Sequence, residues 1–125
     1  MYCASFTWEA GSYDEQFHQL NALIEEVARS LPGFVAVESW QAPDGPRRCA
    51  HYWWRDLASL DTFSRHPAHL EAKRQYARWY RGYQVVLLQV LRSYGDGGLT
   101  PLPAAATAEG AGKTAPDDGA TTAAT

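Results

Sequence analysis

Few stretches limit a fold as tightly as CAHYWWRD, residues 49–56. Neighbouring side chains on a strand point to opposite faces. Read as a strand, this stretch puts Tyr52 and Trp54 on one face and His51 and Trp53 on the other. One core cannot take both sets, so the sheet needs cover on both sides. QVVLLQVLRSYG, residues 84–95, repeats the demand with Val85, Leu87 and Leu91 against Val86, Leu88, Val90 and Tyr94. FVAVESWQA, residues 34–42, sets Phe34, Ala36 and Trp40 against Val35 and Val37.

The other elements follow from spacing. YCASFTW, residues 2–8, is a first strand. Phe17, Leu20, Leu23, Ile24, Val27 and Leu31 recur at helical period, and Pro32 and Gly33 end that helix. Ser12 and Glu15 have the spacing of a capping box at its start. PDGPR turns the chain between strands 2 and 3. Asp56 is placed to cap a short helix, which His66-Pro67 interrupts before a second segment, PAHLEAKRQYARWYRGY. In that segment Tyr76, Trp79, Tyr80 and Tyr83 form a helical stripe, and Arg74 and Arg78 stand four apart, suited to a substrate carboxylate.

The order β-α-β-β-α-β, with the second helix broken, predicts an α+β, ferredoxin-like domain over residues 1–95 with strand order 4-1-3-2 and helices on one face. The other face, left wet, would be a large apolar patch that soluble monomers rarely tolerate. A homodimer that buries this sheet face answers the demand. Residues 96–125, rich in Ala, Thr, Gly and Pro and without an aromatic, read as a disordered tail.

Residues 1–46 hold seven acids against Arg29, whereas residues 47–95 hold nine bases against Asp56, Asp61 and Glu71. A domain split in this way lacks the broad basic face of a nucleic-acid binder. No apolar run approaches a membrane span, and the N-terminus shows no signal-peptide pattern. Cys3 and Cys49 show no metal spacing and fall at opposite ends of antiparallel strands, too far apart to bridge. A cytoplasmic protein with reduced thiols is expected.

LPGFVAVESW, YWWRDLASLDTF and HPAHLEAKRQYARWYRGYQVVLLQVLRSYG resemble the antibiotic biosynthesis monooxygenase family. The resemblance implies a dimeric α+β barrel, two ferredoxin-like sheets facing each other, with a hollow between each sheet and its helices. It also implies cofactor-independent oxidation of an aromatic or polyketide phenol by dioxygen. The alternatives are a haem-binding protein, with or without ring opening, and a non-catalytic dimer that holds an aromatic ligand. Members that open haem pair a helix tryptophan with a histidine ten residues on; matching Trp54 to their strand-3 tryptophan puts Phe63 and Lys73 there, and both depart from that pattern. On the oxidase reading no cofactor or metal is expected. The base is drawn from His66, His69 and His51, and the substrate is held by Trp8, Tyr52, Trp54, Phe63, Tyr76 and Arg74.

Overall fold

A computed structural model describes residues 1–99. The expected tail, 96–125, lies outside the described residues from position 100 onward. The elements run β1 (Tyr2–Ala10), α1 (Glu15–Ser30), β2 (Phe34–Gln41), β3 (Arg47–Trp54), α2 (Leu57–Arg65), α3 (Pro67–Arg74), α4 (Tyr76–Trp79) and β4 (Tyr80–Gln89). The strands form one antiparallel sheet in the order β2-β3-β1-β4. This is the ferredoxin-like arrangement expected from the pattern.

Alternation sorts the sheet into two faces. Ala4, Phe6 and Trp8 of β1, with Ala50, Tyr52 and Trp54 of β3, point at the helices and are almost wholly buried against Phe17, Ile24, Leu60, Phe63 and Trp79. The intervening residues form the open face: Cys3, Ser5 and Thr7 beside Trp53, His51 and Cys49, then Leu88, Val86 and Gln84 of β4. On β2 the simple alternation fails. Phe34 pairs with Trp54 but Ala36 pairs with Trp53, so Val35 is bulged. Phe34 therefore packs with the helix-side core, while Ala36, Glu38 and Trp40 join the open face.

Three boundaries differ from the sequence reading. The cap of α1 is Asp14 rather than Ser12: its Oδ1 accepts from the Phe17 backbone N–H at 2.9 Å. The same oxygen accepts from Trp79 Nε1 at 3.1 Å, and Oδ2 accepts from Arg78 at 2.6 Å, so one carboxylate ties α1 to α4. These donors, the Phe17 N–H foremost, hold the Asp14 carboxyl below its usual range. The long last helix stops at Trp79, and Tyr80 and Tyr83 belong to β4. Glycine at 82 disfavours helix, whereas YRGYQVVLLQ pairs with β1 throughout. That strand ends at Gln89, opposite Tyr2, where Val90 N–H meets the Met1 carbonyl at 2.9 Å.

Gly33, in the turn between α1 and β2, abuts the first turn of α2. Its N–H donates to Ser59 Oγ at 3.0 Å, and its carbonyl accepts from Arg55 N–H at 2.7 Å. A Cβ there would lie 2.5 Å from Asp56 Oδ2 and from Ser59 Oγ, and 2.7 Å from Ser59 Cβ. Both side chains are fixed, Asp56 because it caps α2 through Ser59 N–H at 2.7 Å. Gly33→Ala is therefore expected to destabilise by about 1–3 kcal/mol, read from denaturant unfolding. An unchanged midpoint would show that the α2 turn shifts freely.

Candidate functional site

Four of the residues expected to carry chemistry meet beneath the helices. Tyr52 and Trp54 are two apart on β3 and so share a face. Phe63, from the last turn of α2, lies against both rings, with centroids 5.6 Å from Tyr52 and 5.1 Å from Trp54. His69 of α3 packs on Phe63 as well, at 4.8 Å. All four side chains are fully buried. The break at His66-Pro67 makes this possible, because it lets α3 start afresh and turn His69 inward one turn after its cap.

The donors and acceptors of this cluster are unequal. His69 Nδ1 lies 3.2 Å from the Ser64 carbonyl. A carbonyl only accepts, so Nδ1 carries the proton of the neutral ring and Nε2 is the basic nitrogen. The Trp54 indole Nε1 is buried and has no acceptor among the described residues. An indole nitrogen only donates, and a donor left unmatched in a dry interior costs about 1–3 kcal/mol. Such a group points to an acceptor that the protein does not itself provide.

The remaining candidates lie elsewhere. His66 ends α2 and caps α3, its Nδ1 accepting from Ala68 N–H at 3.1 Å. His51 stands on the open face, across the sheet from the cluster. Trp8 faces the helices but pairs with Arg48, six residues before Trp54 on β3, which is about 20 Å along the strand. There it stacks on Phe6 at 4.6 Å and donates to Tyr13 Oη at 2.9 Å. Tyr76 packs against Tyr83 at 4.9 Å. Trp8 and Tyr76 thus do not wall the space beside Trp54. Arg74 is exposed and pairs with Glu71. The cation on the helix-facing side of the sheet is Arg48, half-buried beside Trp8, with an Nε that is shut off from solvent and has no acceptor among the described residues.

The hollow expected under the helices is closed at this position, since Phe63 fills the space between Tyr52, Trp54 and His69. A cavity nearer α1, lined by Phe17, Asn21, Ile24, Ala72 and Trp79, measures about 10 Å³, no more than one water. A larger one, about 260 Å³, opens at the far end of the sheet beside Trp8, Glu9, Arg47, Gly82, Tyr83 and Gln84, so Trp8 lines a space of its own. The two positions of the haem-opening pattern hold Phe63 and Lys73, and His66 Nδ1 accepts from Ala68 N–H in its own helix. Both cysteines are free. Among the described residues no helix is long and apolar enough to cross a membrane.

No protein-family model and no curated protein matches the chain. Solved structures do. SnoaB, a cofactor-independent oxygenase from Streptomyces nogalater, is 13% identical, covers 71% of this chain and 91% of its own, and superposes with a TM-score of 0.58. PA3566 from Pseudomonas aeruginosa is 16% identical over 72% of this chain and 93% of its own, with a TM-score of 0.56. A structure named as an antibiotic biosynthesis monooxygenase is 18% identical over 73% and 99%, with a TM-score of 0.52. The chain therefore has the fold that the antibiotic biosynthesis monooxygenases share.

Proposed function

We propose that this chain is a cofactor-independent monooxygenase that oxidises an electron-rich aromatic phenol with dioxygen, working as a homodimer whose sheets face each other. The observation that carries the reading is the unmatched Trp54 N–H, buried in an aromatic cluster that also holds His69. A phenolic oxygen is the acceptor such a donor lacks. The fold shared with a cofactor-independent oxygenase supports the same reaction class.

In this scheme the substrate oxygen sits between Trp54 Nε1–H and His69 Nε2. His69 takes the phenol proton; imidazole is suited to this near neutral pH. The Trp54 N–H stabilises the phenolate. The phenolate passes one electron to dioxygen, and the resulting radical pair joins at the ring carbon para to the oxygen. The imidazolium returns its proton to the peroxide so formed. Loss of water leaves a carbonyl at that carbon: one oxygen atom is retained, the other leaves as water, and no further reductant is needed. Tyr52 supplies an apolar wall, and Phe63, displaced by the substrate, closes over it, which excludes water from the peroxide. Entry requires Phe63 to swing aside, and α2–α3, broken at His66, is the segment that carries it.

The test is oxygen uptake with a panel of anthrones and naphthols, on the wild type and on Trp54→Phe. Phenylalanine keeps an aromatic ring but removes the unmatched donor together with part of a fully buried ring, so turnover is compared per folded protein, with folding checked by denaturant unfolding. Turnover should fall about tenfold or more, the range for losing one hydrogen bond to a charged group. Uptake no faster than the uncatalysed rate across the panel would overturn the enzymatic reading. Equal turnover by Trp54→Phe would remove the indole from the mechanism.

A further inference from the structure

Covering a charged group with another protein surface is costly unless its counter-charge is covered with it. The open face of the sheet is greasy along much of its length, with Trp40 51%, Val86 41% and Leu88 45% exposed. At its centre, however, it carries a carboxylate and an imidazole. His51 on β3 lies directly across from Glu38 on β2 and from Ser5 on β1. The imidazole is boxed edge-on by Trp40 at 4.9 Å and Trp53 at 5.6 Å. Trp53 Nε1 donates to Glu38 Oε1 at 3.2 Å, which ties the carboxylate to the indole that packs on the imidazole.

The charge on this face does not balance at neutral pH. Burial favours the neutral imidazole of His51 and pushes its pKa below the usual histidine range. Burial also pushes the Glu38 carboxyl upward, partly offset by the Trp53 hydrogen bond. The other titratable groups facing His51 from β1 and β3 are thiols: Cys3, pushed up to about 12 by burial and then by Cys49 and Glu38, and Cys49 itself. The β4 residues here, Gln84, Val86 and Leu88, carry no charge. The next charges, Glu9 and Arg47 at the strand end, already pair at 3.2 Å. Glu38 therefore leaves one uncompensated negative charge per copy.

We propose that the Glu38–His51 pair is a proton-controlled lock on the association of two copies through this face, closed by the uptake of one proton per copy. The proposal rests on the reading of the open face as the contact between copies. With one added proton the pair is neutral overall, either as an imidazolium opposite a carboxylate or as two uncharged groups. Directly opposed residues on antiparallel strands have Cβ atoms about 5 Å apart, close enough for the charged form to be an ion pair. Because the associated form binds more protons than the separated chains, association strengthens as pH falls through the weakly acidic range. Losing either partner breaks the balance in opposite directions.

Sedimentation equilibrium on the full chain at about pH 7.5 and about pH 5.5, at one ionic strength, reads this directly. The dimer Kd should fall about tenfold on acidification, with circular dichroism unchanged. Glu38→Gln removes the uncompensated charge. Its Kd at the higher pH should equal or undercut the wild-type value, and its pH dependence should reverse, since only an unmatched imidazolium then forms. A dimer whose Kd does not move with pH, or Glu38→Gln with the wild-type slope, would overturn the lock and leave the shared face standing. A monomer at both pH values would overturn the face and the lock together.

Discussion

His69→Ala is expected to lower the rate of phenol oxidation by about 10²–10⁴-fold, the usual contribution of a positioned general base. Of the three candidate imidazoles, His69 alone lies against Phe63 in the cluster that holds Trp54. Its Nδ1 lies 3.2 Å from the Ser64 carbonyl, which makes Nε2 the basic nitrogen of the neutral ring. His66→Ala removes the acceptor that caps α3 and is expected to cost about 1 kcal/mol of stability with little change in the rate of the folded enzyme. His51→Ala sits on the opposite side of the sheet and should leave turnover per folded dimer within about twofold, since nothing there reaches the reacting atoms. Alanine at 69 also opens a cavity, so His69→Gln is the companion: it keeps most of the volume and a hydrogen bond to Ser64 but has no nitrogen that titrates. Both variants should be slow. Wild-type turnover in a folded His69→Gln would exclude imidazole as the base.

The sequence does not separate His66 from His69. They are three apart and flank one helix break, so period alone gives them the same side of a turn. The distinction arises because His66 itself is the cap, with extended backbone at φ −61° and ψ 140°, and only a residue after the cap can be carried inward by the new helix. Strand alternation puts Tyr52 and Trp54 on one face of β3, as the structure has them, but does not say which face meets the helices. It does not place strands beside one another, and Trp8 and Tyr76, grouped with Trp54 on the oxidase reading, belong to another aromatic cluster. Tyr76, Trp79, Tyr80 and Tyr83 illustrate a second limit. An i, i+3, i+4, i+7 stripe does not exclude a strand that begins partway through it, and Gly82 was the residue that argued against helix. The bulge at Val35 had no local marker; it follows from matching β2 to a neighbour whose register Trp53 and Trp54 fix. What could be read early was set by short-range period, and what could not was set by which strand a residue meets.

Leu88→Asp is expected to convert the protein from dimer to monomer at micromolar concentration, raising Kd by about 10³-fold or more. Leu88 stands on the open face of the edge strand β4, in the row that continues through Cys3 to Trp53. In a single chain its side chain is nearly half exposed, so a carboxylate there can stay hydrated and the fold should tolerate it. Beneath a second sheet the same carboxylate would be stripped of water with only thiol and indole neighbours from its own copy. An uncompensated buried charge of this kind costs several kcal/mol, and each ~1.4 kcal/mol is tenfold in Kd. Leu87→Asp is the control, because Leu87 lies on the same strand, is 57% exposed and points to the helix side. If the copies meet face to face, Leu88→Asp dissociates them and Leu87→Asp does not. If they instead meet edge to edge along β4, both substitutions act alike, since one edge presents both side chains to a joining strand. Sedimentation velocity on the two variants decides between these geometries, and a Leu88→Asp protein that remains dimeric would show that the greasy side of the sheet is covered by something other than its own copy.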